Sequence, residues 1–269
     1  FGLGLLFGIE DRCRELGYSF ILCRTLDRPE LEEKAIEHLR QLNVDGIIVL
    51  PVHGENYNPS VLRLVLERMP MSFVDRRLRG LAASFVGTNN IEAAKIGVSH
   101  LIDLGRQRIA FLSGPIKDTS AIEERREGFV EALADYGLPL DTDLWMTYVD
   151  SFRYGIISCE QAEANLSQMR EHLSAHPDID AVFSVEYEGA VLAREAARSL
   201  GLKVPEDIAI VCFDCPTNCY LPPAFTHLKQ HEYDIGQKAL DIVHAQILGK
   251  GQGNAKVYIP ADLIRGESS

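Results

Sequence analysis

Charged side chains close several apolar runs in this sequence, and their types suit recognition of a small polar ligand. Asp75 and Arg76 end the run SFV, Glu186 ends AVFSV and Asp214 ends IAIVCF. Arg125 sits early in a helical stretch reached from RIAFLS, and Phe152 follows WMTYV. A carboxylate accepts two hydroxyl hydrogen bonds, a guanidinium donates a planar pair, and an aromatic ring covers a sugar's apolar face. Singly, each acid serves as well to cap the next helix or to pair with a surface base. As a set they suit a polyol or sugar, because in open α/β sheets ligands bind at the carboxyl edge of the strands.

Other spacings point to chemistry less well. Cys212, Cys215 and Cys219 form CxxCxxxC, a spacing that can hold zinc or act as a redox pair. Cys212 lies inside an apolar run, though, and the nearest further ligands are His227 and His231. The glycines of GLGLLFG are spaced GxGxxxG with no strand before them, which reads as close helix packing rather than a dinucleotide turn. The eight histidines are scattered without an HExxH, and neither GxSxG nor GxxxxGK[ST] occurs. No nucleophile, base and oxyanion site assemble from the sequence, so it predicts neither an enzyme nor a bound cofactor or metal.

The elements that must carry these residues alternate. A helix opens the chain and ends near Gly17, and Tyr18–Cys23 reads as a strand. Helix 30–42, strand 46–50, helix 59–69 and strand 71–74 follow, then helix 91–104 and strand 108–113. Helix 121–136, strand 145–149, helix 159–175, strand 181–185, helix 188–200, strand 208–213 and helix 233–248 complete the series. Strands alternating with helices imply parallel sheets joined by right-handed crossovers, and so many strands fit two α/β lobes better than one open sheet. A parallel lobe calls for a strand before its first helix, so residues upstream of Phe1 are expected.

The 269 residues, 46% hydrophobic and 25% charged, exclude disorder and coiled coil. Twenty-seven Lys plus Arg against 39 Asp plus Glu give a formal charge of −12, which disfavours a grip on nucleic acid by this piece alone. No apolar run is long enough for a transmembrane helix, and no basic segment followed by an apolar one marks a secretory signal. The six cysteines do not read as a disulfide framework, which places the chain in a reducing compartment, the cytoplasm.

The stretches GIEDRCRELGYSFILCRT, LRQLNVDGIIVLP, FVDRRLRG, VGTNNIEAAKIGVSHLIDLGRQRIAFLSGP, RREGFVEALADYGL, LKVPEDIAIVCFD and IPADLIRGESS occur in this order over almost the whole chain. In them the sequence resembles the effector-binding core of the lactose/galactose-repressor (LacI/GalR) family of transcriptional regulators. The resemblance implies two Rossmann-like lobes of the periplasmic-binding-protein-like type I fold with a hinged cleft between them. The first lobe would hold 1–88 plus 232–259, the second 89–231 plus 260–269. It also implies a DNA-binding domain upstream that binds operator DNA, a homodimer, and a small-molecule effector, a sugar, that changes operator affinity.

Carried over by position, Asp75 matches the family's first-lobe effector acid and Arg125, in RREGF, its R-x-x-G-aromatic arginine. Asp214 matches the acid after the VVGFD-type strand, and Phe152 lies near the stacking aromatic. Phe1 falls beside the pocket at the opening of the first helix, and Gln230 in LKQ matches a cleft glutamine. The usual Asn-Asp after the AVF strand is here Glu186-Tyr187, the Gly of VVGFD is Cys212, and the second acid is Cys215. Those departures bear on the ligand's identity and admit a cationic or amine-bearing ligand, or a degenerate site. The alternatives are an extracytoplasmic sugar-binding protein of a transporter, marked by an upstream signal peptide, and a Rossmann-type enzyme with Asp27 as its ribose acid.

Overall fold

The computed structural model describes all residues except 1, 53–57, 79, 115–118, 148–157, 217–219 and 252. The chain divides into two compact units: the first falls within Phe1–Asn89, Asp118–Ala121 and His231–Pro260, the second within Asn90–Lys117, Ile122–Gln230 and Ala261–Ser269.

Unit 1 is a four-stranded parallel sheet in the order β1-β2-β3-β8, formed by Ile47–Val49, Met71–Val74, Ser84–Thr88 and Lys256–Ile259. Alternate side chains feed opposite faces, as the pleat dictates. Ile47, Val49, Met71, Phe73 and Phe85 form one cluster with Ile36 of α2 (Pro29–Gln41) and Val61 and Leu64 of α3 (Pro59–Leu66). Val74 and Val86 form the other with Leu5 and Ile9 of α1 (Leu3–Leu16) and Ile235 and Ala239 of α8 (Glu232–Ile247).

Tyr18–Cys23 does not form the expected strand. The segment has no ladder partner among the described residues, and Phe20, Ile21 and Leu22 are exposed. β propensity makes a strand only where a neighbouring strand supplies the hydrogen bonds, and among the described residues β1 pairs with β2 alone. Trp145–Val149 is likewise reduced, within the described residues, to a bridge from Met146 to Leu112.

Unit 2 holds a five-stranded sheet, β4-β5-β6-β7-β9, from Ile109–Leu112, Ala181–Ser184, Ala209–Phe213, Thr226–Lys229 and Asp262–Ile264. Its strands are parallel except β9, which runs antiparallel to β7. Helices α4 (Asn90–Asp103) and α5 (Ser120–Asp135) cover the face carrying Phe111, Phe183, Val211 and Phe213. Helices α6 (Cys159–Ala175) and α7 (Tyr187–Ser199) cover the face carrying Val182, Ile210 and Cys212. No described helix is long and apolar enough to cross a membrane.

The GLGLLFG glycines serve helix packing. A Cβ on Gly8 would lie 2.1 Å from the Tyr233 carbonyl oxygen, and one on Gly236 would lie 2.3 Å from that of Leu5, so α1 and α8 touch backbone to backbone. The N–H groups of Gly2 and Gly4 donate to Glu232 Oε2 at 2.8 and 3.0 Å. The positive end of α1 is therefore satisfied by the protein's own carboxylate, where a dinucleotide reading would need a phosphate. Gly8→Ala is expected to destabilise the protein by about 1–3 kcal/mol through forced separation of the helices. Gly253→Ala, with open space around the new methyl, is its control. Equal urea midpoints for the two variants would refute this packing role.

Candidate functional site

The acids that end β2 and β6 stand on the same local geometry. Asp75 (φ 63°) and Asp214 (φ 56°) both occupy the left-handed region just past their strands. Asp75 donates its N–H to the Val86 carbonyl of the neighbouring strand at 3.1 Å, and Asp214 donates to that of Leu228, also at 3.1 Å. Aspartate tolerates this conformation better than a β-branched residue, and the turn sets the carboxylate at the sheet's carboxyl edge.

In unit 2 the structure brings Arg125, Gln230 and Asp214 together and adds two residues that sequence reasoning did not single out, Asn90 and Glu124. Arg125 is 7% exposed. Its Nε donates to Asn90 Oδ1 at 2.9 Å, one Nη donates to the Val185 carbonyl at 2.7 Å, and the other lies 3.4 Å from Gln230 Oε1. Asn90 Nδ2 donates onward to Glu124 Oε2 at 3.1 Å, and Gln230 Nε2 donates to Asp214 Oδ2 at 2.7 Å. The guanidinium thus has a carboxylate on either side, each reached through an amide. Its Cζ also lies 3.8 Å from the centre of the Phe213 ring, a cation–π stack.

The residues around Arg125 explain that placement. A Cβ on Gly128 would lie 2.2 Å from the Ile91 carbonyl oxygen, so the glycine lets α5 settle on α4. Phe129 is fully buried, edge-on to Phe111 at 5.2 Å, and anchors the helix. In RREGF, the glycine sets the approach, the aromatic fixes the helix, and the arginine is carried to the strand ends.

Glu186 is half-buried at the N-cap of α7, with no capping bond from its side chain. Its carbonyl accepts from Ser184 Oγ at 2.6 Å, which pins the turn after β5. In unit 1, Arg76 Nη1 donates to the Val52 carbonyl at 3.4 Å and lies 3.5 Å from Asp27 Oδ1, while Nε lies 3.7 Å from Asp75 Oδ2. Asp27 is thereby a partner of Arg76 rather than a ribose acid. Phe1 and Phe152 lie outside the described residues, as does Cys219.

The cysteine run does not assemble a metal centre among the described residues, where no group of three or more potential ligands converges. Cys212 faces the α6/α7 side of the sheet, fully buried, and its thiol donates to the Asp214 carbonyl at 3.1 Å. Burial, with the nearby Cys215 and acids adding to it, pushes that thiol well above the usual range.

The family model for the periplasmic binding protein-like domain matches residues 98–269. The ribose operon repressor of Halalkalibacterium halodurans is 29% identical over 97% of this chain and 73% of its own length. The transcriptional regulator CelR of Thermobifida fusca is 28% identical over 100% of this chain and 76% of its own. The solved CelR–cellobiose complex superposes with a TM-score of 0.83 at 27% identity, covering 99% of this chain and 78% of that one. The chain belongs to the periplasmic binding protein-like domain family, as the effector-binding core of a LacI/GalR-family transcriptional regulator. Regulators of this family bind small-molecule effectors, dimerise and bind operator DNA. These relatives regulate transcription, which sets the transporter reading aside.

Arg125→Lys is expected to cost about 1–3 kcal/mol in urea unfolding, because one ammonium cannot serve Asn90, Val185 and Gln230 in the guanidinium's planar geometry. A loss below about 0.5 kcal/mol would show the network to be dispensable. At pH 8, iodoacetamide should label exposed Cys159 and spare Cys212, as read by peptide mass spectrometry of the folded protein. Equal labelling would contradict the buried, protonated thiol.

Proposed function

We propose that this core binds a sugar through polar groups at the carboxyl ends of its strands and that binding changes operator affinity. Arg125, Asp214, Gln230 and Glu186 serve in unit 2, and Asp75 and Arg76 in unit 1. Phe1 and Phe152 are carried in the proposal by the family resemblance alone. The observation that carries the reading is the relay from Glu124 through Asn90, Arg125 and Gln230 to Asp214. It fixes donors and acceptors before any ligand arrives, so little ordering entropy is lost on binding hydroxyl groups. The cellobiose in the complex of a regulator similar to this chain supports the same class. The division into lobes follows the two units, an upstream domain holds the operator, and the protein works in the cytoplasm without catalytic turnover.

Glu186 favours a second reading, an amine-bearing ligand, since a carboxylate there attracts a cation where an amide would not. Thermal unfolding against cellobiose, ribose, hexoses, polyols and small amines separates the two. A ligand at 100 times its dissociation constant adds about 2.7 kcal/mol, a rise of several degrees. A sugar hit is expected. A hit confined to amines and abolished by Glu186→Gln would replace the sugar reading with the second one, and silence across the panel would overturn both.

A further inference from the structure

Among the described residues only two carboxylates are buried, Glu124 in the relay above and Glu32 on α2, which is 5% exposed. Both oxygens of Glu32 are engaged. Oε1 accepts from the Val52 N–H at 3.0 Å and Oε2 from Asn58 Nδ2 at 3.0 Å. Asn58 is oriented in turn, because its Oδ1 caps α3 by accepting from the Ser60 N–H at 3.0 Å. Val52 is thus tied at its N–H to Glu32, while its carbonyl accepts from Arg76. The other neighbours of the Arg76 guanidinium are ion pairs at 3.5 Å or more, and its buried Nε has no hydrogen-bond partner among the described residues. Val52 is therefore the one described backbone group that holds this side chain.

We infer that Glu32 is a positioning residue for Arg76, acting through Val52; its bearing on ligand binding rests on the effector role proposed for Arg76. The site demands a group that accepts at two oxygens. In Glu32→Gln, one amide donor meets either the Val52 N–H or the Asn58 amide, and Asn58 cannot turn over without losing its cap on Ser60. Adding Asn58→Asp restores the match at position 32: the new amide donates to the new carboxylate, whose other oxygen keeps the cap, and only the 3.3 Å bond from Asn58 Nδ2 to the Pro29 carbonyl is given up. A side chain that merely fastened α2 to α3 would change stability without changing Arg76.

The test follows the Arg76 Nε–H in the core labelled with ¹⁵N-arginine, together with hydrogen exchange at the Val52 amide. In Glu32→Gln both should exchange at least tenfold faster while amides of β2 and β3 keep their protection. In Glu32→Gln/Asn58→Asp both should return to within about twofold of the parent. An unchanged Arg76 Nε–H in folded Glu32→Gln overturns the inference, as does a loosened one in the folded double variant. Should the single variant not fold, the double variant decides. A parent Val52 amide that exchanges as fast as an open loop also overturns the inference, whatever the variants do. No ligand enters these measurements, so a core that binds no sugar would sink the effector reading and leave Arg76's positioning decided on its own.

Discussion

A guanidinium taken out of water must find an acceptor for each N–H it turns inward, or the lobe that buries it loses stability. Arg125 imposes that condition on unit 2. Meeting it fixes Asn90 at the head of α4, the carbonyl that ends β5, the aromatic ring that ends β6 and the glutamine that follows β7. Four elements distant in sequence converge on one planar cation. The carboxylates Glu124 and Asp214 stand one amide away on either side of its charge. Such a network rigidifies its surroundings when complete and is costly when any member is lost.

Unit 1 uses the same backbone device with a different electrostatic solution. Asp75, like Asp214, turns into the left-handed region after its strand and reaches the neighbouring strand through its N–H. Arg76, however, is next to that acid in sequence, partly exposed, and held by a backbone carbonyl and distant acids rather than by a closed set of amides. The buried carboxylate of this unit, Glu32, sits one step further back and orders the chain that holds the arginine.

The sequence displayed most of this where one signal dominates. Helices α2, α4, α6 and α8 appear within a residue or two of their expected ends, because apolar residues recur at helical spacing over three or more turns. Strands β1, β2, β4, β5 and β6 were legible as continuous apolar runs covered on both faces. The strands β3, β7 and β8 were not read from periodicity: SFVGT, THLK and KVYI are short and mix polar with apolar residues, and only their neighbours in the sheet make them strands. Tyr18–Cys23 shows the reverse, high propensity without a partner. Arg125, Asp214 and Gln230 could be picked out by residue type, position and resemblance. Asn90, Glu124 and Glu32 could not, because their roles depend on facing a partner tens of residues away, and no local spacing encodes that.

The strand β8 aligns Val257 with Val86 of β3, and α8 packs on α1, so unit 1 borrows its last helix and last strand from the far end of the chain. Unit 2 in turn closes with β9, paired to β7. Neither sheet is complete until residues 256–264 have left the ribosome. During synthesis the edge of β3 must wait for a partner some 170 residues downstream, and the apolar face of α1 for one some 230 residues downstream. Nascent chains truncated before residue 232 therefore display uncovered sheet and helix surface to chaperones and proteases.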